Sequence, residues 1–181
     1  MSNSPWDEQI AIIVSPAPSI RPHWPWEQPD LVQRSSDFLR GYICEAYLVR
    51  AFDETMRYVH GYGLGYNFIS DNEATFAVRA SCITPTTRSW KCNFGRIDAD
   101  FILFFGFRDR ADPRLEFCLN IPMRRFEDRT GITILDDGYH IKGYKEFWVD
   151  EEIFAKMQAV MDAIKSHDST VLEQYEPRSS R

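Results

Sequence analysis

The chain has 181 residues, of which 44% are hydrophobic and 14% aromatic, so it is long enough for one well-buried domain but too short for a second independent core. Its formal net charge of -6 argues against a strongly basic nucleic-acid coat and a polybasic membrane binder, and leaves room only for a local basic patch. No stretch reaches the roughly 18 to 20 consecutive apolar residues of a membrane span, and the first residues lack the basic region of a secretory signal. We therefore expect an intracellular, cytoplasmic protein that does not bind membranes.

The first 35 residues are predicted to form an extended arm. Six of the ten prolines lie within the first 29 residues, and this density excludes a long helix there. Two indoles, Trp24 and Trp26, stand on either side of Pro25. They either pack on the domain or stack on bases or a partner peptide.

A helical pattern begins at Ser36 or Asp37 and places a carboxylate on the apolar face. Steps of four and three residues put Glu45 in line with apolar side chains, namely Phe38, Tyr42, Val49, Phe52 and Met56. Burying an unpaired carboxylate is costly, so an inward glutamate normally has a cation, a hydrogen-bond partner or a metal. Glu45 is therefore the first candidate for a functional residue.

The rest of the chain predicts a sheet followed by a closing helix. Residues 66–70 and 75–83 form a strand pair around the turn Asp71-Asn72-Glu73, and the second strand alternates between a core face and a more polar face. Further strands are predicted at 90–94, 99–107, 115–121 and 132–135. A turn at 136–138 is predicted to join the last of these to an aromatic strand at 140–149, so that the two form a hairpin. A helix over 150–165 closes a domain of residues 36–167, and a flexible tail spans 168–181.

Three short motifs in this order resemble the PD-(D/E)XK nuclease superfamily over roughly residues 36 to 150. Gly41 and Glu45 in RGYICEAYL match the opening helix, and Asn67 in GYNFISD stands where that family has a metal-binding aspartate. Ala77 and Arg79 in TFAVRAS stand at the family's E/Q-x-K pair. The resemblance implies an α/β fold with a restriction-endonuclease-like core, a mixed central sheet flanked by helices.

The same resemblance implies a metal-dependent endonuclease that acts on DNA, or a derivative of one with a weakened or inactivated site. An active form would be a Mg²⁺-dependent phosphodiesterase in which Glu45 and Asn67 hold the metal and Arg79 stabilises the phosphate. Ala77 offers no ligand, Asn67 contributes no charge, and a guanidinium cannot act as a base at neutral pH. Asn67 and Ala77 fit natural loss of a metal site and deliberate inactivation alike.

Substitute carboxylates and basic residues complete the predicted site. A replacement metal site would use Asp71 or Glu73 from the turn, or the pair Asp98 and Asp100. The candidate nucleic-acid-binding residues are Arg79, Arg88, Lys91 and Arg96, with further arginines at Arg108, Arg110 and Arg114. Acidic residues lie among these basic residues, so ordinary surface charge explains the stretch as well as a nucleic-acid-binding patch does.

Two alternatives stay open beside the nuclease hypothesis. One is a non-catalytic nucleic-acid-binding module in which Glu45 and Arg79 pair with each other. The other is a protein-interaction domain that uses the Trp-rich arm or the aromatic segment 139–148. DNA is the expected partner of a nuclease and of a nucleic-acid-binding module. A homodimer is compatible with a nuclease that cuts both strands.

Overall fold

The computed structural model describes residues 41, 43–59, 64–95, 97–108, 114–166, 168–175 and 178–179, and these form a mixed α/β domain. Helix α1 consists of a π-helical segment, Cys44–Leu48, and an α-helical segment, Val49–Phe52; the later helices are α2 (Tyr139–Gly143), α3 (Glu151–Ser166) and α4 (Ser169–Glu173). The strands are β1 (Arg57–Tyr58), β2 (Phe68–Ile69), β3 (Thr75–Cys82), β4 (Ser89–Asn93), β5 (Phe101–Phe107), β6 (Leu115–Pro122), β7 (Gly131–Leu135) and β8 (Arg178–Ser179). Short 3-10 helices occupy Met123–Arg125 and Lys145–Phe147. The predicted arm, residues 1–35, lies outside the described residues.

The central sheet is mixed, with strand order β6-β5-β3-β2-β1-β8. β3 pairs in parallel with β5 from Phe76 to Cys82, and antiparallel with β2 at only two positions, Thr75 and Phe76. Within the described part of the chain, the second half of β3 therefore has no strand neighbour on the β2 side. The predicted turn between β2 and β3 is present, because the Ser70 N–H donates to Ala74 O at 2.9 Å.

Helices α1 and α3 cover one face of this sheet. Their apolar side chains form one cluster with the core-facing residues of β3 and β5, such as Val78 and Leu103. The predicted helix over 36–56 extends too far, because Asp53 adopts an extended conformation and ends α1 after Phe52. Met56 lies beyond the helix and is nevertheless fully buried in the same cluster.

A second sheet, formed by β4 and β7 in antiparallel pairing, covers the opposite face. Ala77 is completely buried in a cluster with Trp90 and Cys92. The prediction that alternate residues of β3 face a polar surface is therefore wrong at Ala77, because a layer of strands distant in sequence buries it. β5 is buried on both faces as predicted.

The predicted aromatic hairpin at 140–149 is also wrong. β7 finds its partner in β4, and the turn after β7 leads into helix α2. Asp137 explains the helix start, since its carboxylate accepts the N–H groups of Tyr139 and His140 at 3.0 and 2.8 Å. Tyr139 and Trp148 remain exposed on this segment.

The segment predicted as a flexible tail contributes to the core. Asp168 caps α4 by accepting the Thr170 N–H at 3.0 Å, and Leu172 and Tyr175 are buried. β8 then pairs in parallel with β1 at the edge of the central sheet. Among the helices described, none is long and apolar enough to cross a membrane. None of the four cysteines forms a disulfide, and Cys44, Cys92 and Cys118 are buried.

Candidate functional site

The predicted site residues meet where β2 and β3 separate. Asn67 immediately precedes β2, and its N–H donates to Phe76 O at 2.8 Å. Its side-chain Oδ1 accepts the N–H of Val78 at 3.0 Å. Asn67 therefore extends the β2–β3 ladder by one hydrogen bond through its side chain.

Arg79 lies on the same unpaired stretch of β3. Its Nη1 donates to Val78 O at 2.8 Å, and its Nε donates to Asn93 O at 3.3 Å at the end of β4. Together, the side chains of Asn67 and Arg79 satisfy both backbone groups of Val78, which protects an otherwise open sheet edge from pairing with another strand. The Nη2 group of Arg79 makes no hydrogen bond to any described residue and stays available to a ligand.

Glu45 reaches this site from the π-helical turn of α1. The Val49 N–H donates to Cys44 O, a wider turn than the α-helix allows, and π-turns of this kind often accompany functional sites. The Glu45 side chain is mostly buried, and its Oε2 is buried without a hydrogen-bond partner among the described residues. Burial raises the Glu45 pKa to about 8, against an opposing effect of the Arg79 charge.

The raised pKa means that Glu45 is largely protonated at neutral pH, so it does not cancel the charge of Arg79. No direct ion pair joins the two side chains in the described structure, and Oε2 remains unpaired. The hypothesis that Glu45 and Arg79 satisfy each other as a salt bridge is therefore wrong. They interact only electrostatically, over a longer distance.

The donor set does not suit a hard divalent cation. Mg²⁺ prefers carboxylate oxygens, whereas Glu45 favours its neutral form, Ala77 has no donor and the Asn67 oxygen already accepts the Val78 N–H. The metal-binding and catalytic roles of Glu45 and Asn67 stay predictions, and the hydrogen bonds favour a site without metal.

Three of the four substitute carboxylates, Asp71, Glu73 and Asp100, do not converge on this site. Asp71 and Glu73 are exposed in the turn, where Glu73 has a positive φ of 67°. Asp100 Oδ2 accepts both the N–H and the hydroxyl of Thr75 at 2.9 Å, and these bonds lower its pKa. Among the described residues, no three His, Cys, Asp or Glu side chains lie close enough to hold a metal ion.

Two of the predicted nucleic-acid-binding residues, Lys91 and Arg88, have different surroundings in the structure. Lys91 is exposed on β4, and its N–H donates to the hydroxyl of Ser81, which is two residues from Arg79 on the same face of β3. Arg88 instead forms an ion pair with Asp136 at 2.9 Å, although its side chain remains 72% exposed. Arg96 and Arg110 lie outside the described residues.

The later arginines are neutralised by a local network. Arg108 contacts Asp136 at 2.7 Å and Glu116 at 2.9 Å, and its guanidinium lies over the Trp90 ring. Arg114 binds the same Glu116 at 3.0 Å. These contacts join β4 and β7 to the central sheet, so Arg108 and Arg114 serve packing. Among the described residues, the candidate cationic patch reduces to Arg79 and Lys91.

A close backbone contact beside the site is absent from the sequence predictions. Gly65 has a φ of 80°, and a Cβ on it would lie 2.4 Å from the Asp98 backbone nitrogen. This contact fixes the approach to Asn67 against the segment that leads into β5. The glycines at 61, 63 and 65 are the only sequence signal for it.

We expect Asn67→Ala to lower the free energy of unfolding by about 1–2 kcal/mol, because the buried Val78 N–H loses its acceptor. Asn67→Asp retains an acceptor oxygen and should lose less. Chemical denaturation of each variant measures both values. Asn93→Ala is the control, since the exposed side chain of Asn93 makes no hydrogen bond to another described residue. Equal losses in Asn67→Ala and Asn93→Ala would contradict a special role for the Asn67 side chain.

Comparison with protein-family models and with curated proteins finds no match for this chain.

Proposed function

We propose that this chain is a PD-(D/E)XK-like domain that binds nucleic-acid phosphates at Arg79 and Lys91 without hydrolysing them. One observation carries the proposal: Arg79 keeps its charge at the family's lysine position, while its neighbours neither neutralise that charge nor supply a metal site. Glu45 is mostly neutral at pH 7, and Asn67 and Ala77 contribute no charge.

The topology supports a restriction-endonuclease-like core. Helix α1 brings a glutamate to the point where an antiparallel strand pair, β2 and β3, opens. β3 then pairs in parallel with the buried strand β5, and β6 extends the sheet in the antiparallel direction. The elements follow the order that the resemblance implies, with the strands β4 and β7 covering one face of the sheet.

The chemistry of the patch favours phosphate. The Nη2 of Arg79 can donate to a phosphate oxygen, and Lys91 adds an exposed positive charge on β4, whose backbone contacts Ser81 of β3. A guanidinium cannot generate the nucleophilic water that hydrolysis needs, and Glu45 is tied to a buried position. Binding without cleavage therefore follows from this arrangement.

We expect the full chain to bind a fluorescent 12-nucleotide DNA without cutting it in Mg²⁺ or Mn²⁺. Arg79→Ala should weaken binding roughly fivefold to tenfold and lower the salt dependence by about one ion per complex. Fluorescence anisotropy across a salt series gives affinity and slope, and denaturing gels report cleavage. Lys142→Ala, the same loss of charge on the exposed surface of α2, is the matched control.

Two results would overturn this proposal, and a third would refine it. Metal-dependent cleavage that disappears in Glu45→Ala would restore the nuclease hypothesis, and a large gain of cleavage in Asn67→Asp would identify a disabled nuclease. If Arg79→Ala and the unchanged chain bind the DNA with equal affinity at every salt concentration, Arg79 does not belong to the interface.

A further inference from the structure

A pocket of about 580 Å³ lies beside the candidate site, where β5 begins and β6 ends. Phe101 and Pro122 face each other in the β5–β6 ladder at this end of the sheet. The segment between β4 and β5 forms another wall, including Phe94 and Ile97. The same segment begins at Asn93, whose oxygen binds Arg79, and contains Asp98, which contacts Gly65. The pocket and the Arg79 site therefore share one connecting segment.

One part of the inner surface of the pocket is apolar and partly aromatic. Ile97, Phe101 and Met123 line it while each keeps part of its surface exposed. Phe94 and Phe126 pack edge to face behind them, with ring centroids 6.0 Å apart. Such a wall suits a flat, apolar ring, and the volume lies in the range of about 300–1000 Å³ that is usual for small-ligand sites.

The rim of the pocket carries uncommitted positive charge. Arg124 and Arg129 are exposed and form no ion pair in the described structure, and the Arg129 guanidinium lies 5.4 Å from the centroid of the Phe126 ring. Asp100 is occupied by Thr75, so Glu127 is the one lining carboxylate without such a partner. Their neighbour Arg125 differs, because it pairs with Glu146 at 2.9 Å and stacks over Phe147.

We propose that this pocket binds one nucleotide unit, with the base against the apolar wall and the phosphate at Arg124 and Arg129. Charge complementarity selects an anion, and the combination of an aromatic wall with an exposed guanidinium selects an anion attached to a planar ring. The nucleotide comes either from a single strand or from a free mononucleotide. Binding of a nucleotide within a strand rests on the proposed function and extends it. Separate variants of the pocket and of the Arg79 patch distinguish these two sites.

The experiment uses the full chain and three probes: a fluorescent single-stranded 12-mer, the same 12-mer with abasic sugars, and free thymidine monophosphate. Anisotropy measures binding of the oligonucleotides, and calorimetry measures binding of the monophosphate. We expect the double variant Arg124→Ala with Arg129→Ala to bind the normal 12-mer roughly tenfold more weakly. The abasic strand should lose a similar factor with the unchanged chain, and Arg125→Ala should stay within about twofold.

Each outcome has a definite meaning. Preference for the normal over the abasic strand, lost in the double variant, supports a site for a base within a strand. Monophosphate binding that is lost in the double variant supports a site for a free nucleotide. Equal binding of both strands together with no monophosphate binding, or binding unchanged in the double variant, overturns the inference.

The two proposals fail independently. If Arg79→Ala binds the 12-mer normally while the double variant does not, the pocket stands and the Arg79 patch fails. If only Arg79→Ala loses binding, the patch stands and the pocket fails. Circular dichroism confirms that the variants remain folded, which is expected because Arg124 and Arg129 are exposed.

Discussion

Replacing Glu45 with glutamine should remove a large pH dependence of stability. The folded-state pKa of Glu45 is raised from 4.5 to about 8, chiefly by burial and against the effect of Arg79. The folded protein therefore holds this proton more tightly than the unfolded chain. The stability that results is fully present below pH about 4.5 and is lost as the pH rises through about 8.

Glutamine resembles the protonated acid in shape and has no charge to lose. At pH 5 we expect Glu45→Gln and the unchanged chain to unfold at similar free energies. At pH 9 the variant should be more stable by about 2–4 kcal/mol, since each unit of pKa shift corresponds to about 1.4 kcal/mol. Denaturant unfolding at pH 5, 7 and 9 measures the difference between the two proteins, in which the titration of the other groups largely cancels.

Parallel pH dependence of the two proteins would contradict a buried neutral Glu45. The control is Glu146→Gln, because that exposed carboxylate pairs with Arg125 at the surface. Nucleic-acid binding provides a second readout. Ionisation of Glu45 above pH 8 should weaken binding at Arg79, and Glu45→Gln should resist this loss.

Gly65→Ala should destabilise the chain strongly and disturb the candidate site. Gly65 has a φ of 80°, a left-handed conformation that costs a non-glycine residue about 1–2 kcal/mol. The added Cβ would also lie 2.4 Å from the Asp98 nitrogen, which is backbone and cannot rotate away. Relieving that overlap requires the segments around Asn67 and Asp98 to move apart. We therefore expect the free energy of unfolding to fall by about 3–4 kcal/mol in total.

Gly138→Ala is the matched control for this substitution. Gly138 has a similar φ of 73°, yet a Cβ there would meet no atom within 4 Å. Gly138→Ala should therefore lower the free energy of unfolding only by the cost of the left-handed conformation, about 1 kcal/mol. Thermal or denaturant unfolding compares the two variants, and losses of equal size would show that the contact between Gly65 and Asp98 is unimportant.

The sequence by itself located most of the sheet and the residues of the candidate site. The strands near 75–83, 90–94 and 115–121 follow from alternation and local turn residues, because these patterns report which side chains face a core. Glu45 was singled out as a carboxylate on an apolar helix face, and the structure buries its Oε2. Three misplaced segments, at 53–56, 140–149 and 168–175, lie where a short capping motif or a distant partner decides the structure.

Only the tertiary structure decided which groups the candidate site residues contact. Asn67 was predicted as a metal ligand from its position, yet its oxygen is taken by the N–H of Val78 across the hairpin. Arg88 and Arg108 look like free cations in the sequence but meet Asp136, which is distant along the chain. Local sequence patterns report burial and turns, whereas the partner of a charged or polar group depends on which segments fold together, and that determines its pKa and its availability to a ligand.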